Sequence, residues 1–164
     1  MPNQHYYSNQ PDIAHDRKEL KTELRGQTFN FISDAGVFSK SGVDYGSKVL
    51  IDAMEFQQNA SVLDVGCGYG PIGLTAAKMV VDGHVTMIDI NSRAVELAKE
   101  NARRNGISNV TILESDLFAV VKDQQFDVIL TNPPIRAGKE TVHAIFEESW
   151  SHLREGGQLW VVIQ

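Results

Sequence analysis

The stretch LDVGCGYGPIGL, residues 63–74, decides the fold. An apolar run carries Asp64 and ends at Val65. Gly66, Gly68 and Gly70 follow, and Pro71 opens a second apolar segment. Proline suits the first position of a helix, where its missing N–H has no intrahelical partner. The segment reads as a strand over 61–65, a tight glycine turn, and a helix over 71–81. Residues without Cβ let backbone approach a ligand closely. The start of the helix points N–H groups at whatever sits there. A glycine turn with no ligand meets the same spacing, so the neighbouring segments have to decide.

Downstream, strands are expected over 84–89, 109–113, 126–131 and 158–163. A helix over 91–105 is capped by Asn91, stacks Ala94, Ala98 and Ala102 on one face, and ends at Gly106. Another over 140–153 turns Val142, Ile145, Phe146, Ser149 and Leu153 inward, with Trp150 expected in the core and Gly156-Gly157 ending it. Alternating strands and helices mean βαβ units, a mostly parallel sheet, and helices on both faces. Upstream, 44–55 reads as a helix with Val49, Leu50, Ala53 and Met54 on one face. Residues 19–33 read as a β-hairpin turning at Arg25-Gly26-Gln27. The expected division is a tail over 1–18 and one domain over 19–164, split into hairpin and helix (19–56) and an α/β core (57–164).

Composition bounds the rest. The 164 residues suit one domain, and 42% apolar with 22% charged is globular composition. A net charge of −6 argues against holding nucleic acid by bulk positive charge, but not against a local basic patch. No run approaches the ~20 apolar residues of a membrane span, and MPNQHYYSNQ lacks the pattern of a secretory signal. The lone Cys67 excludes a disulfide framework, so a reducing cytoplasm is the expected compartment. The five histidines (5, 15, 84, 143, 152) lack ligand spacing, and no metal is expected.

Sites on such sheets lie at the carboxyl ends of the strands. Here those ends carry the glycine loop, Asp89, Ser115-Asp116, and Asn132-Pro133-Pro134-Ile135. Asp64, in a buried strand, needs a donor: a ligand's cationic amine, or the loop's own N–H groups. Asp89 is placed to accept from the two hydroxyls of a ribose. Asp116 suits an adenine amino group. Gly68, Gly70 and Gly73 also satisfy a dinucleotide fingerprint, but Asp64 would repel a pyrophosphate and the chain leaves no room for a second domain. After β-strand 126–131, two prolines fix the backbone and remove donors. An asparagine oxygen beside a rigid carbonyl then makes an acceptor pair for a planar –NH₂ group. Accepting both hydrogens localises the nitrogen lone pair toward a methyl donor without a strong base.

These residues resemble the class I S-adenosylmethionine-dependent methyltransferases. LDVGCGYGPIGL (63–74) matches their glycine loop, IDIN (88–91) the ribose acid, ESDLF (114–118) the adenine-side acid, and NPPI (132–135) the amino-methyltransferase signature. GVFSKSGVDYGSKVLIDAM (36–54) resembles the small-domain enzymes of the RsmC type, which methylate guanine N2 in 16S ribosomal RNA. The resemblance implies S-adenosylmethionine as cofactor and S-adenosylhomocysteine as product, with ribosomal RNA or the small ribosomal subunit as partner. It implies Asp64, Gly66, Cys67, Gly68, Tyr69 and Gly70 at the methionine end, Asp89 and Ile90 at the ribose and adenine, and Asp116 and Leu117 at the adenine. Asn132, Pro133 and Pro134 would receive the target amino group, with Asn132 also at the cofactor and Phe38, Ser39, Ile135 and Arg136 around the substrate. The fourth signature position is usually aromatic, and Ile135 leaves base stacking to another residue such as Phe38. Methylation of a protein glutamine amide or an adenine amino group uses the same device. A non-catalytic cofactor module and an NAD oxidoreductase are weaker alternatives. The family fold has seven strands, so two C-terminal strands are expected to be missing, leaving 158–163 as an exposed apolar edge. Cys67 reads as a small loop residue, since methyl transfer to nitrogen needs no covalent intermediate. Arg136 and Lys139 suit a phosphate or plain solvent equally, and Lys99, Arg103 and Arg104 read as solvent-facing.

Overall fold

The structure is a computed structural model and describes residues 13–37, 42–133 and 137–163. In chain order its elements are β1 (Lys18–Leu24), β2 (Gln27–Ser33), α1 (Tyr45–Ala53), β3 (Ser61–Val65), α2 (Pro71–Met79), β4 (His84–Asp89), α3 (Ser92–Arg104), β5 (Val110–Glu114), β6 (Phe126–Thr131), α4 (Gly138–His152) and β7 (Leu153–Val161). A 3₁₀ turn, Ala119–Val121, separates β5 from β6. The glycine-loop strand β3 is the middle of a five-stranded parallel sheet in the order β5-β4-β3-β6-β7. The order reverses between β4 and β6 on either side of β3, which opens a crevice at the strand ends.

Helices cover both faces. One apolar layer joins the hairpin, α1, α2 and α3 through Phe29, Phe31, Leu50, Leu74, Met87 and Leu97. The other, with Leu63, Val65, Phe118, Phe126, Ile129 and Ile145, lies beneath α4 and the 3₁₀ turn. Gly73 lets α2 sit directly on the sheet. A Cβ there would lie 2.7 Å from both the Asp64 carboxylate and Met87 Cγ.

The hairpin is a separate two-stranded sheet, and its docking has a simple geometric basis. Asn101 accepts from the Ile32 N–H (2.8 Å) and donates to the Ile32 carbonyl (2.9 Å). Asn105 does the same for Asn30, at 2.9 and 3.0 Å. Four residues of helix rise about 6.0 Å and two of strand about 6.6 Å. Two asparagines one turn apart therefore present amides in register with alternate residues of β2, standing in for a neighbouring strand. Asn101 also donates to the Tyr69 carbonyl at 2.8 Å, tying hairpin, α3 and glycine loop together. Asn101→Ala leaves buried partners at both strand and loop unsatisfied. It should destabilise the fold by about 2–3 kcal/mol, read by denaturant unfolding. A change below about 0.5 kcal/mol would mean that water replaces the amide.

Four expectations need correction. The buried face of α1 is Gly46, Ser47, Leu50 and Ile51, while Val49 is 41% exposed and Ala53 is exposed. The polar Ser47 belongs to the inward stripe, which shifts the face by one position. Trp150 is 84% exposed, because the inward series of α4 runs through Ile145, Ser149 and His152 and leaves it on the opposite side. α4 ends at His152, not at the glycines. Leu153 already pairs with Phe126, and residues 154–157 bulge out before Gln158 pairs with Val128. Gly156, at φ 80°, turns the chain through that bulge. β7 forms one edge of the sheet, and its Leu159, Trp160 and Val161 are half-buried.

Candidate active site

The ends of β3, β4, β5 and β6 meet at one cavity. Its walls include Gly66, Cys67, Gly68, Tyr69, Asp89, Ile90, Asp116, Leu117, Asn132 and Pro133. Ten residues expected at the site are thus brought together from four strand ends. Asp64 and Gly70 are not part of the wall. Successive strand residues face opposite sides, so while Val65 reaches the cavity, Asp64 turns under α2 toward Gly73 and Met87. Gly70 caps α2 at φ 115°, and a Cβ there would strike Leu74 at 2.8 Å, which makes it a packing position. Phe38, Ser39, Pro134, Ile135 and Arg136 lie outside the described residues. Lys139 is exposed on the first turn of α4.

The glycine loop is set by backbone. The Gly66 and Cys67 N–H groups donate to the Ile88 carbonyl at 2.8 and 3.0 Å. Gly66 (φ 75°) and Gly68 (φ 57°) are left-handed, and none of the described residues lies within 4 Å of a Cβ placed on either. The loop therefore presents bare backbone to the cavity. Asp89 accepts from Gly68 N–H and Asn91 N–H, each at 2.9 Å, with one carboxylate oxygen each. Asn91 caps α3, so Asp89 is not needed as the cap. Burial lifts the Asp89 carboxyl to about 6, against the pull of the Asn91, Gly68 and Ile90 N–H groups.

Past β5, Leu117 holds a left-handed φ of 50°. Ser115 Oγ stabilises that strained turn by donating to the Leu117 carbonyl (2.7 Å) and accepting from Val120 N–H (3.1 Å). Ile90 and Leu117 give the cavity apolar surface, with the Asp116 carboxylate beside them. Asn132 follows β6 and is 9% exposed. Its side-chain nitrogen lies 3.0 Å from both Asp44 Oδ2 and Ser47 Oγ. Both belong to the start of α1 and line the cavity. Sequence reading passed over them, although Asp44 has the form of a helix N-cap three residues before Ser47.

Two buried groups bear on what the cavity holds. The hydroxyl of Tyr69, a residue of the wall, is buried and has no hydrogen-bond partner among the described residues. Burial, and then the charge of Asp44, push its pKa well up, so it stays a neutral donor. The second is the Asp64 carboxylate, buried against the Gly73 backbone N–H. Burial, and then the nearby Asp89 charge, raise it to about 7. A folded-state pKa above the usual carboxylate range contributes stability that is present below about pH 4 and lost as pH rises through 7. Asp64→Asn should therefore melt higher than wild type at pH 8, by several degrees, with the difference vanishing near pH 4. A lower melting temperature at pH 8 would show that the charged form is needed for folding.

The unpartnered Tyr69 donor, the bare glycine backbone, two carboxylates and an apolar cleft between them fit an amino-acid-linked nucleoside. The strand order is that of a Rossmann-like α/β fold. The chain belongs to the methyltransferase small-domain family, whose model matches residues 28–164. S-adenosylmethionine is the cofactor of this class of enzyme. The chain is 55% identical over 163 residues to the uncharacterized protein YbxB of Bacillus subtilis, covering 98% of this chain and 81% of that one. It is 33% identical over 157 residues to ribosomal RNA small subunit methyltransferase C of Escherichia coli O17:K52:H18, covering 93% of this chain and 45% of that enzyme. Among solved structures, the T. thermophilus 16S rRNA N2 G1207 methyltransferase (RsmC) in complex with AdoMet and guanosine superposes with a TM-score of 0.82 and 26% identity. That match covers 92% of this chain and 43% of the other, so the chain spans under half of these two enzymes.

Proposed function

We propose that the protein transfers the methyl group of S-adenosylmethionine to an exocyclic amino nitrogen, namely guanine N2 of small-subunit ribosomal RNA. The observation that carries this reading is Asn132-Pro133 at the end of β6, on the same cavity as Asp89 and Asp116. The cofactor supplies an electrophilic methyl group on a sulfonium and leaves as S-adenosylhomocysteine. In this reading Asp89 would accept from the ribose hydroxyls, Ile90 and Leu117 would give the adenine apolar contact, and Asp116 would accept from its amino group. Gly66 and Gly68 lie against the methionine end, with Cys67, Tyr69, Gly70 and Asp64 supporting that loop.

Asn132 Oδ1 and the Pro133 carbonyl accept the two hydrogens of the target –NH₂. The nitrogen then loses conjugation with its ring, and its lone pair points at the methyl carbon. Pro134 is assigned with Asn132 and Pro133 on its place in the motif, and no strong base is required because the proton leaves a cationic product nitrogen for water. Phe38, Ser39, Ile135 and Arg136 are assigned to the substrate side on their positions in the motifs. Similarity to an enzyme whose complex holds AdoMet and guanosine supports guanine over adenine or a glutamine amide.

Methyl-labelled S-adenosylmethionine, fractionated bacterial extract and nuclease or protease digestion test the substrate class. Label released by nuclease is expected. Label that survives nuclease but is released by protease would move the assignment to a protein amide.

A further inference from the structure

We propose that Asp44 and Ser47 are positioning residues that lock the Asn132 amide in one orientation, making the site acceptor-only and selective for a planar –NH₂ group. The inference rests on the reading that Asn132 receives the target nitrogen.

The lock follows from donor and acceptor counting. A carboxylate only accepts, so the Asn132 atom 3.0 Å from Asp44 Oδ2 must be the nitrogen. Ser47 Oγ spends its single hydrogen on Asp44 Oδ1, at 2.6 Å. What it turns to Asn132, 3.0 Å away, is a lone pair. Both N–H bonds of the amide are thereby engaged by acceptors, and Oδ1 projects the other way. Reversing the amide would set its oxygen against a carboxylate and a hydroxyl lone pair, and aim two donors at the substrate's own donors.

The anchor is itself held. Asp44 caps α1 by accepting from Ser47 N–H at 3.2 Å. α1 is fastened to the core by the buried Leu50 and Ile51. An asparagine without this brace is a donor or an acceptor by a rotation of its side chain. With it, a ring nitrogen bearing no hydrogen, or a carbonyl, finds no donor at Asn132.

Asp44→Asn separates positioning from capping, because asparagine caps a helix as well as aspartate does. Its new –NH₂ can donate to Asn132 Oδ1 and let the amide reverse. The expected result is a fall in kcat on the order of 10²-fold, with unchanged melting temperature and S-adenosylmethionine affinity. Ser47→Ala should lose about 10-fold, and Ser47→Thr, which keeps the hydroxyl, should recover most of it. With S-adenosylhomocysteine bound, wild type should hold guanosine about 10-fold more tightly than inosine, which lacks the 2-amino group. Asp44→Asn should lose that preference.

A readout independent of any substrate is the ¹⁵N side-chain amide signal of Asn132. Its two hydrogens should exchange slowly with water in wild type and faster in Asp44→Asn. Full turnover by Asp44→Asn, or loss of turnover together with stability and cofactor affinity, would overturn the proposal. So would an Asn132 amide that exchanges equally fast in both proteins. If the amide is protected in wild type and released in the variant while guanine is not the substrate, the reading of the substrate fails and the lock stands.

Discussion

Asn132→Ala should lower methyl transfer by about 10²–10³-fold while changing S-adenosylmethionine affinity less than about threefold. The asparagine follows β6, whereas the residues assigned to the nucleoside come from β4 and β5. Its loss removes the acceptor that orients the target nitrogen, a contribution that matters in the transition state more than in the bound state, so kcat falls further than substrate binding does. The fold should survive. Asp44 keeps the Ser47 hydroxyl and N–H as donors, so its charge is not left alone. Single-turnover rates and calorimetric cofactor binding on the same preparation check this. Turnover and cofactor affinity falling in parallel would place Asn132 in the cofactor site instead.

Asp89→Ala has the opposite signature. Each hydrogen bond from a neutral donor to a charged carboxylate contributes about 1.5–3 kcal/mol. Losing two ribose contacts should therefore weaken S-adenosylmethionine binding by about 10²-fold or more. Gly68 N–H also loses its acceptor, loosening the loop. The wild-type pH dependence has a definite sign. The ribose needs the ionised carboxylate, and burial has raised the ligand-free Asp89 to about 6. Affinity should be flat above pH 7 and fall as pH drops through 6, with protons released on binding below that point. Asp89→Asn should weaken binding and erase this dependence. Calorimetry between pH 5 and 8 in buffers of different ionisation enthalpy measures both effects. An affinity indifferent to pH in wild type would remove Asp89 from the ribose.

How legible these residues were in the sequence depended on the kind of force that places them. β3, β4 and β6 run over the residues expected from their apolar runs, because a parallel strand buried on both faces has few other uses for such a run. That the four strand ends gather at one cavity was legible because glycines, carboxylates and Asn-Pro mark points where the chain stops being core. What could not be read locally was polar burial. Ser47 and Asp44 look like solvent-facing residues until Asn132, 85 and 88 residues away, supplies the donor. Asn101 and Asn105 look like poor helix formers near a helix end, yet they complete the edge of β2. The bulge before Gln158 needs the partner strand to exist before it has meaning. Trp150 was misplaced because residue type was weighed above helical phase.

Methylation of guanine N2 is what the proposed roles of Asn132 and Pro133 amount to. Its most direct test is nucleoside analysis by mass spectrometry of unmodified 16S ribosomal RNA, free or within small subunits, after incubation with the purified protein and S-adenosylmethionine. N2-methylguanosine is expected with wild type and should be absent when Asn132→Ala replaces it. N6-methyladenosine, or RNA left unmodified while a protein in the same subunits gains the methyl group, would contradict the proposed roles.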